Sequence, residues 1–149
     1  MRARRTQAGA ALFDVIVETL ETFFRLRAAG MRHGTVTPRG GGLWGLLRIL
    51  KLEGPRTVPQ IARARSVARQ HVQKLANEMA AEGLIEFIDN PAHRRSKLMR
   101  LTRKGDAAFE ELTARIVETA ETLAHGMDLR ELRTAAGVLR RLRERLDRA

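Results

Sequence analysis

Apolar residues recur along this chain at two different periods, and the changes of period mark its parts. From about residue 10 to residue 27, Leu12, Ile16, Phe23 and Leu26 form one row. Phe13, Val17, Leu20 and Phe24 form a second row beside it, both at the three-four spacing of a helix. A helix apolar over so wide an arc must be covered on more than one side. A shorter helix is predicted over residues 43–52, with Trp44, Leu47 and Leu50 as its spine and Gly54 and Pro55 ending it. Between the two, residues 30–42 are rich in Gly and contain Pro38, which predicts a loop. In the last third, Phe109, Leu112, Ile116, Ala120 and Leu123 repeat helically. After a break at His125 and Gly126, Leu129, Leu132, Ala136, Leu139, Leu142 and Leu146 do the same, with Asp128 placed to cap the final helix. Both chain ends carry more apolar face than a monomer of this size readily covers. A homodimer built from the terminal helices is expected; the alternative is that they complete one monomeric core.

The centre has a different grammar. Thr57, Pro59 and Gln60 form the signature of a capping box, with Pro in the first turn, and predict a short helix over residues 58–64. Ile61 and Ala62 would face inward, and the small Ala62 would let a second helix approach closely. Residues 65–67 make a turn. A second helix is predicted over residues 69–82, stopped by Gly83. Two short helices joined by a tight turn are a helix-turn-helix. The second one has two faces. Val72, Leu75, Ala76 and Met79 are apolar, whereas Gln70, Gln73, Lys74 and Asn77 lie on the other side, with Arg69 and His71 flanking their N-terminal end. Amides and cations on the first half of such a helix can hydrogen-bond base edges in a major groove. A merely solvated face would more usually be rich in Glu–Lys pairs, yet no acid occurs from Arg69 to Asn77. Strand-like residues 84–89 and 97–101 then flank a loop over residues 90–96, predicting a hairpin with Arg94, Arg95 and Lys97 near its tip. An Arg there can enter a narrow minor groove.

Charge sharpens this picture. The chain has 149 residues and a net charge of +11, but residues 55–104 carry +7 and residues 105–149 carry −1. A cationic field concentrated on the centre favours a polyanion. Arg far exceeds Lys, which coding bias can explain; bias does not explain why acids are sparse in the middle and abundant at the end. The absence of cysteine excludes disulfides, thiol catalysis and zinc–thiolate sites. No stretch approaches the roughly 18 apolar residues of a membrane span. The basic start resembles a signal sequence, but Asp14, Glu18 and Glu21 interrupt the apolar stretch that follows, so a cytoplasmic, nucleoid-associated protein without membrane contact is expected.

From Leu43 to Gly105 the sequence resembles the MarR family (multiple antibiotic resistance regulators). The resemblance rests on Ile61 and Ala62, the Val72, Leu75 and Met79 spacing, Glu82 to Ile85, the wing from Asn90 to Arg95, and Leu101 to Gly105. It implies a mainly α fold with a small β-hairpin wing, a winged helix-turn-helix between N- and C-terminal dimerisation helices. It also implies a homodimeric regulator, often responsive to phenolic or other lipophilic ligands. A single domain is expected, divided into residues 1–42 (dimerisation helix and loop), 43–105 (winged helix-turn-helix) and 106–149 (dimerisation helices). Three features depart from the family pattern. The usual Ser before the recognition helix is Ala68, so a cap is lost unless Ser66 or the turn backbone compensates. The usual wing Asp is His93, leaving Arg95 loose or held by Asp89 or Glu86. The chain also lacks the Cys of the peroxide-sensing branch.

The functional expectation is a sequence-specific double-stranded-DNA-binding regulator, a repressor acting on a pseudo-palindromic operator. Arg69, Gln70, His71, Gln73, Lys74 and Asn77 are the candidates on the helix, and Arg94, Arg95 and Lys97 those on the wing. In this fold ligands commonly bind between the dimer helices and the DNA-binding lobe, where Phe24, Trp44 and Leu47 are candidates to line a cavity and His33 or Arg48 to meet an anionic group. The aromatic spacing fits plain core equally well. The four histidines contain no short-spaced ligand pair, so no metal or cofactor is expected. No nucleophile set or phosphate-cradling loop appears, so the chain is not expected to be an enzyme. The alternative function is a winged-helix protein-interaction module without specific DNA binding.

Overall fold

The structure is a computed structural model that describes residues 6–32 and 42–148. Six helices and three short strands follow one another: α1 (Gln7–Arg32), α2 (Gly42–Glu53), β1 (Arg56–Thr57), α3 (Val58–Ala64), α4 (Arg69–Ala81), β2 (Ile85–Ile88), β3 (Leu98–Leu101), α5 (Arg103–Ala124) and α6 (Leu129–Leu146). Among the described residues two compact units separate, the first reaching Ala114 and the second starting at Arg115. Helix α5 runs through the boundary without a break. No helix among the described residues is long and apolar enough to cross a membrane.

In the first unit, local chemistry sets the helix limits. Thr57 accepts from the Gln60 amide at 3.3 Å while the Gln60 side chain accepts from the Thr57 amide at 2.9 Å, which completes the capping box of α3. Ala68 starts α4 with extended backbone and no side-chain cap, so neither Ser66 nor any other side chain replaces the missing hydroxyl. Gly83 ends α4 with φ +75°, as Leu84 N–H donates to the Met79 carbonyl at 2.9 Å and Gly83 N–H to that of Ala80 at 3.0 Å. That is a Schellman closure, which needs a left-handed residue at this position. Helix α1 continues five residues beyond the sequence expectation, so residues 30–32 are helical rather than loop.

The expected hairpin is a three-stranded antiparallel sheet in the order β1-β3-β2. Residues Arg56 and Thr57 pair with Met99 and Leu98, an addition too short to leave a periodic signature. In the other pairing Glu86 stands opposite Arg100 and Phe87 opposite Met99. The core lies between this sheet and the helices. Leu46, Leu47 and Leu50 of α2, Ile61 and Ala62 of α3, Val72, Ala76 and Met79 of α4, Met99 of β3 and Phe109 and Leu112 of α5 are all buried. Full burial of a Leu or Met contributes about 1.5–3 kcal/mol each. Trp44 stacks on Phe109 with ring centroids 6.4 Å apart and donates its indole N–H to Thr113 at 3.0 Å. Helices α2 to α5 and the sheet thus share one apolar core.

In the second unit Asp128 caps α6, accepting from Arg130 N–H at 2.8 Å and Glu131 N–H at 3.1 Å. No residue of α6 is buried, and Leu129, Leu139 and Leu146 are exposed.

Candidate nucleic-acid interface

Helix α4 turns its apolar row onto α3 and the sheet, which forces its polar row outward. Arg69, Gln70, His71, Gln73, Lys74 and Asn77 are all exposed. So are Arg94, Arg95 and Lys97 on the segment between β2 and β3. That segment is shaped by Asn90, whose side-chain amide donates to the Ser96 carbonyl at 3.0 Å and accepts from Ala92 N–H at 3.1 Å. Two further backbone bonds, His93 N–H to Asn90 and Ser96 N–H to His93, fold it into consecutive turns. The Asn90-Pro91 dipeptide is the sequence signal for this turn-forming role.

The two elements face each other. A cleft of about 640 Å³ has Arg69, Gln70 and Gln73 of α4 on one wall and Arg95, Ser96 and Lys97 of the wing on the other, with Val58 and Pro59 among its lining. Five of the nine residues expected to contact DNA therefore border one groove. Lys74 and Asn77 continue the α4 row, and Arg94 sits on the wing tip. His71 departs from this grouping: it lies on the opposite flank of the helix, beside Val72 and Leu75. No ion pair joins Arg94, Arg95 or Lys97 to a carboxylate among the described residues. The expectation that Glu86 could steady Arg95 is corrected, because Glu86 accepts from both Nε and Nη2 of Arg100, at 2.9 and 2.6 Å, directly across the strand pair. The wing cations keep their charge available to an external anion.

A second cavity, of about 320 Å³, has an apolar lining that includes Phe23, Leu46, Ile61 and Val72, with Arg27, Arg65 and His71 at its border. The Arg65 guanidinium lies over α2 at Gly45, where an added Cβ would stand 2.6 Å from both Nη atoms. The residues expected to hold a ligand are not gathered here. Leu47 is wholly enclosed in the core, Trp44 is engaged with Phe109, and Arg48 lies over the Trp44 ring at 5.8 Å. Phe24 is exposed on α1, and its neighbour Phe23, about 100° away around the helix, borders the cavity instead. His33 lies outside the described residues. Helical spacing could not tell which aromatic meets the cavity; Arg27 and Arg65 gave no separate signal among so many arginines.

A helix-turn-helix whose second helix shares a cationic cleft with a basic wing defines a winged-helix transcription regulator. The sequence model of the MarR family matches residues 43–96. An uncharacterized protein of Mycobacterium tuberculosis is 34% identical over 133 residues, covering 87% of this chain and 92% of that protein. The structure of a MarR family transcription regulator superposes with TM-score 0.76 at 27% identity, covering 92% of this chain and 91% of that one. A probable transcriptional regulator from Pseudomonas aeruginosa superposes with TM-score 0.72 at 25% identity, covering 88% and 98%. The chain belongs to the MarR family, whose members are transcription regulators and not enzymes.

Proposed function

We propose that this chain is a sequence-specific double-stranded-DNA-binding regulator that acts as a homodimeric repressor. The observation that carries the reading is the cleft in which Arg69, Gln70 and Gln73 oppose Arg95 and Lys97. Helix α4 enters a major groove, where Gln70 and Gln73 meet base edges, Asn77 stands beside Gln73, and Arg69 and Lys74 contact bases or phosphates. Arg94, Arg95 and Lys97 serve the adjacent backbone and minor groove. Phosphate neutralisation provides most of the affinity, which therefore falls steeply with salt.

The homodimer is supported by apolar residues that each unit leaves uncovered. In the first, Phe13, Leu20 and Phe24 of α1 are exposed; in the second, Leu129, Leu139 and Leu146 of α6 are. A twofold pair places its recognition helices in successive major grooves about one helical turn (~34–36 Å) apart on a pseudo-palindromic operator. Occlusion of polymerase then gives repression, at the nucleoid in the cytoplasm. The cavity between Phe23, Leu46 and His71 supports release by a small lipophilic ligand. A ligand there shifts the dimer only in so far as it prefers the form that does not fit the operator.

The test is selection of genomic fragments by the purified full-length protein, followed by titration of the enriched duplex against salt. Enrichment of a palindromic site with a steep salt slope supports the reading. Equal retention of all fragments removes the sequence-specific part of the reading, and retention of none points to a protein-interaction module instead.

A further inference from the structure

Gln73 and Asn77, one turn apart on the exposed flank of α4, are joined to each other: Gln73 Nε2 donates to Asn77 Oδ1 at 2.9 Å. The bond consumes one of two hydrogens on the Gln73 nitrogen. It leaves Gln73 with its carbonyl oxygen and one N–H, an acceptor and a donor side by side. Adenine presents the complement in the major groove, an N6 amino donor next to the N7 acceptor. No other residue of the α4 row is held in this way. Lys74 and Arg69 have donors only, and the Gln70 side chain has no hydrogen bond among the described residues.

A free glutamine amide can turn over, exchanging its donor and acceptor ends, and then matches a different base edge. A carbonyl oxygen from Asn77 accepts only from the amino end of Gln73, so Gln73 can turn over only if Asn77 turns over with it. The pair also removes torsional freedom before DNA arrives, which lowers the ordering cost at the interface. We propose that Asn77 is a positioning residue for base recognition: it holds the Gln73 amide in place with an acceptor and a donor free, so that Gln73 reads adenine and is a stronger source of discrimination than Gln70. This rests on α4 being the groove-reading helix, as put forward above.

The test uses the full-length protein and the duplex that it enriches, with each base pair substituted in turn. Gln73→Ala and Asn77→Ala should each lose about tenfold of discrimination at the same A·T pair, the scale of one bidentate base contact. The double variant should lose no more there than Gln73→Ala alone. Asn77→Asp keeps an acceptor for Gln73 and should retain discrimination at that pair while binding every duplex more weakly, because it adds negative charge. Gln70→Ala should change discrimination less than Gln73→Ala. If Asn77→Ala leaves the profile intact, or alters a different base pair, the positioning role is overturned while DNA reading by α4 stands. If the wild-type protein shows no preference at any base pair, DNA reading itself fails and the inference with it.

Discussion

Gly105 of α5 lies so close to Leu84 that a Cβ added to it would collide with the Leu84 carbonyl oxygen. Around this contact, Thr102 N–H donates to the same carbonyl at 3.1 Å, and Lys104 Nζ donates to the Glu82 carbonyl at 2.7 Å. The Thr102 hydroxyl donates to the Gly83 carbonyl and accepts from Gly105 N–H, capping α5. The end of the recognition helix is thereby tied to the first turn of α5. The obstacle to a side chain at residue 105 is backbone, which cannot swing aside. Overpacking costs about 1–3 kcal/mol where neighbours adjust; Gly105→Ala should cost at least the upper end of that range. Urea unfolding should show a markedly lower midpoint, and an unchanged one would refute the close approach.

Ala68 offers the converse case. Its φ of −64° and ψ of 139° are those of an N-cap residue, but methyl accepts no hydrogen bond. Ala68→Ser should stabilise the fold by about 1 kcal/mol, the usual contribution of an N-cap hydroxyl. Thermal unfolding checks this, and a variant that melts at or below the wild-type temperature argues against the cap.

Lys51 joins α2 to α5, bonding Asp106 and lying 3.4 Å from Glu110. The Asp106 hydrogen bond is the main reason its pKa is raised above the ordinary 10.5; the Glu110 bond and both carboxylate charges add, and partial desolvation opposes. A raised lysine pKa contributes stability that is complete below the unfolded value and lost as pH rises through the folded one. The stability gap between wild type and Lys51→Met should therefore hold through neutral pH and shrink in alkali above 10.5. A gap that stays constant across that window would mean that the ammonium charge is not what Lys51 contributes.

Arg95 is exposed and makes no ion pair among the described residues, so its removal should leave stability unchanged. Arg95→Ala should nevertheless weaken duplex binding and reduce the slope of log K against log salt by about 0.9, the value for one phosphate. Anisotropy titrations at several salt concentrations measure both. Unaltered affinity and slope would remove Arg95 from the interface.

Phe13 and Leu20 are seven residues apart on one side of α1, and are 62% and 56% exposed. Charges there cost little in an isolated chain but a great deal in an apolar dimer contact. The Phe13→Glu, Leu20→Glu double variant should sediment as a folded monomer with the wild-type helical signal, and should bind its operator far more weakly. A variant that sediments as a dimer would place the interface elsewhere.

How much of this was legible beforehand depends on the range of the interaction involved. Thr57 and Gln60 form their capping box three residues apart, Gly83 terminates α4 by its own backbone freedom, and Asp128 caps the helix that follows it. Each limit was readable because its cause lies within one turn of chain. The outward row of α4 was readable for the same reason, since 3.6 residues per turn dictate which side chains share a flank once Val72, Ala76 and Met79 face inward. Contacts between distant segments were not. Whether Glu86 would meet Arg95 or Arg100 depended on strand register, and Arg56 and Thr57 became a strand only because β3 lay beside them. The spacing of Trp44 and Leu47 suited a core and a cavity equally; packing placed Leu47 inside and turned Phe23, rather than Phe24, toward the open space. Periodicity and caps are one-dimensional and leave their mark in the order of residues. The facing of wing and recognition helix, and the carbonyl that leaves no room beside Gly105, arise only when separated segments are brought together.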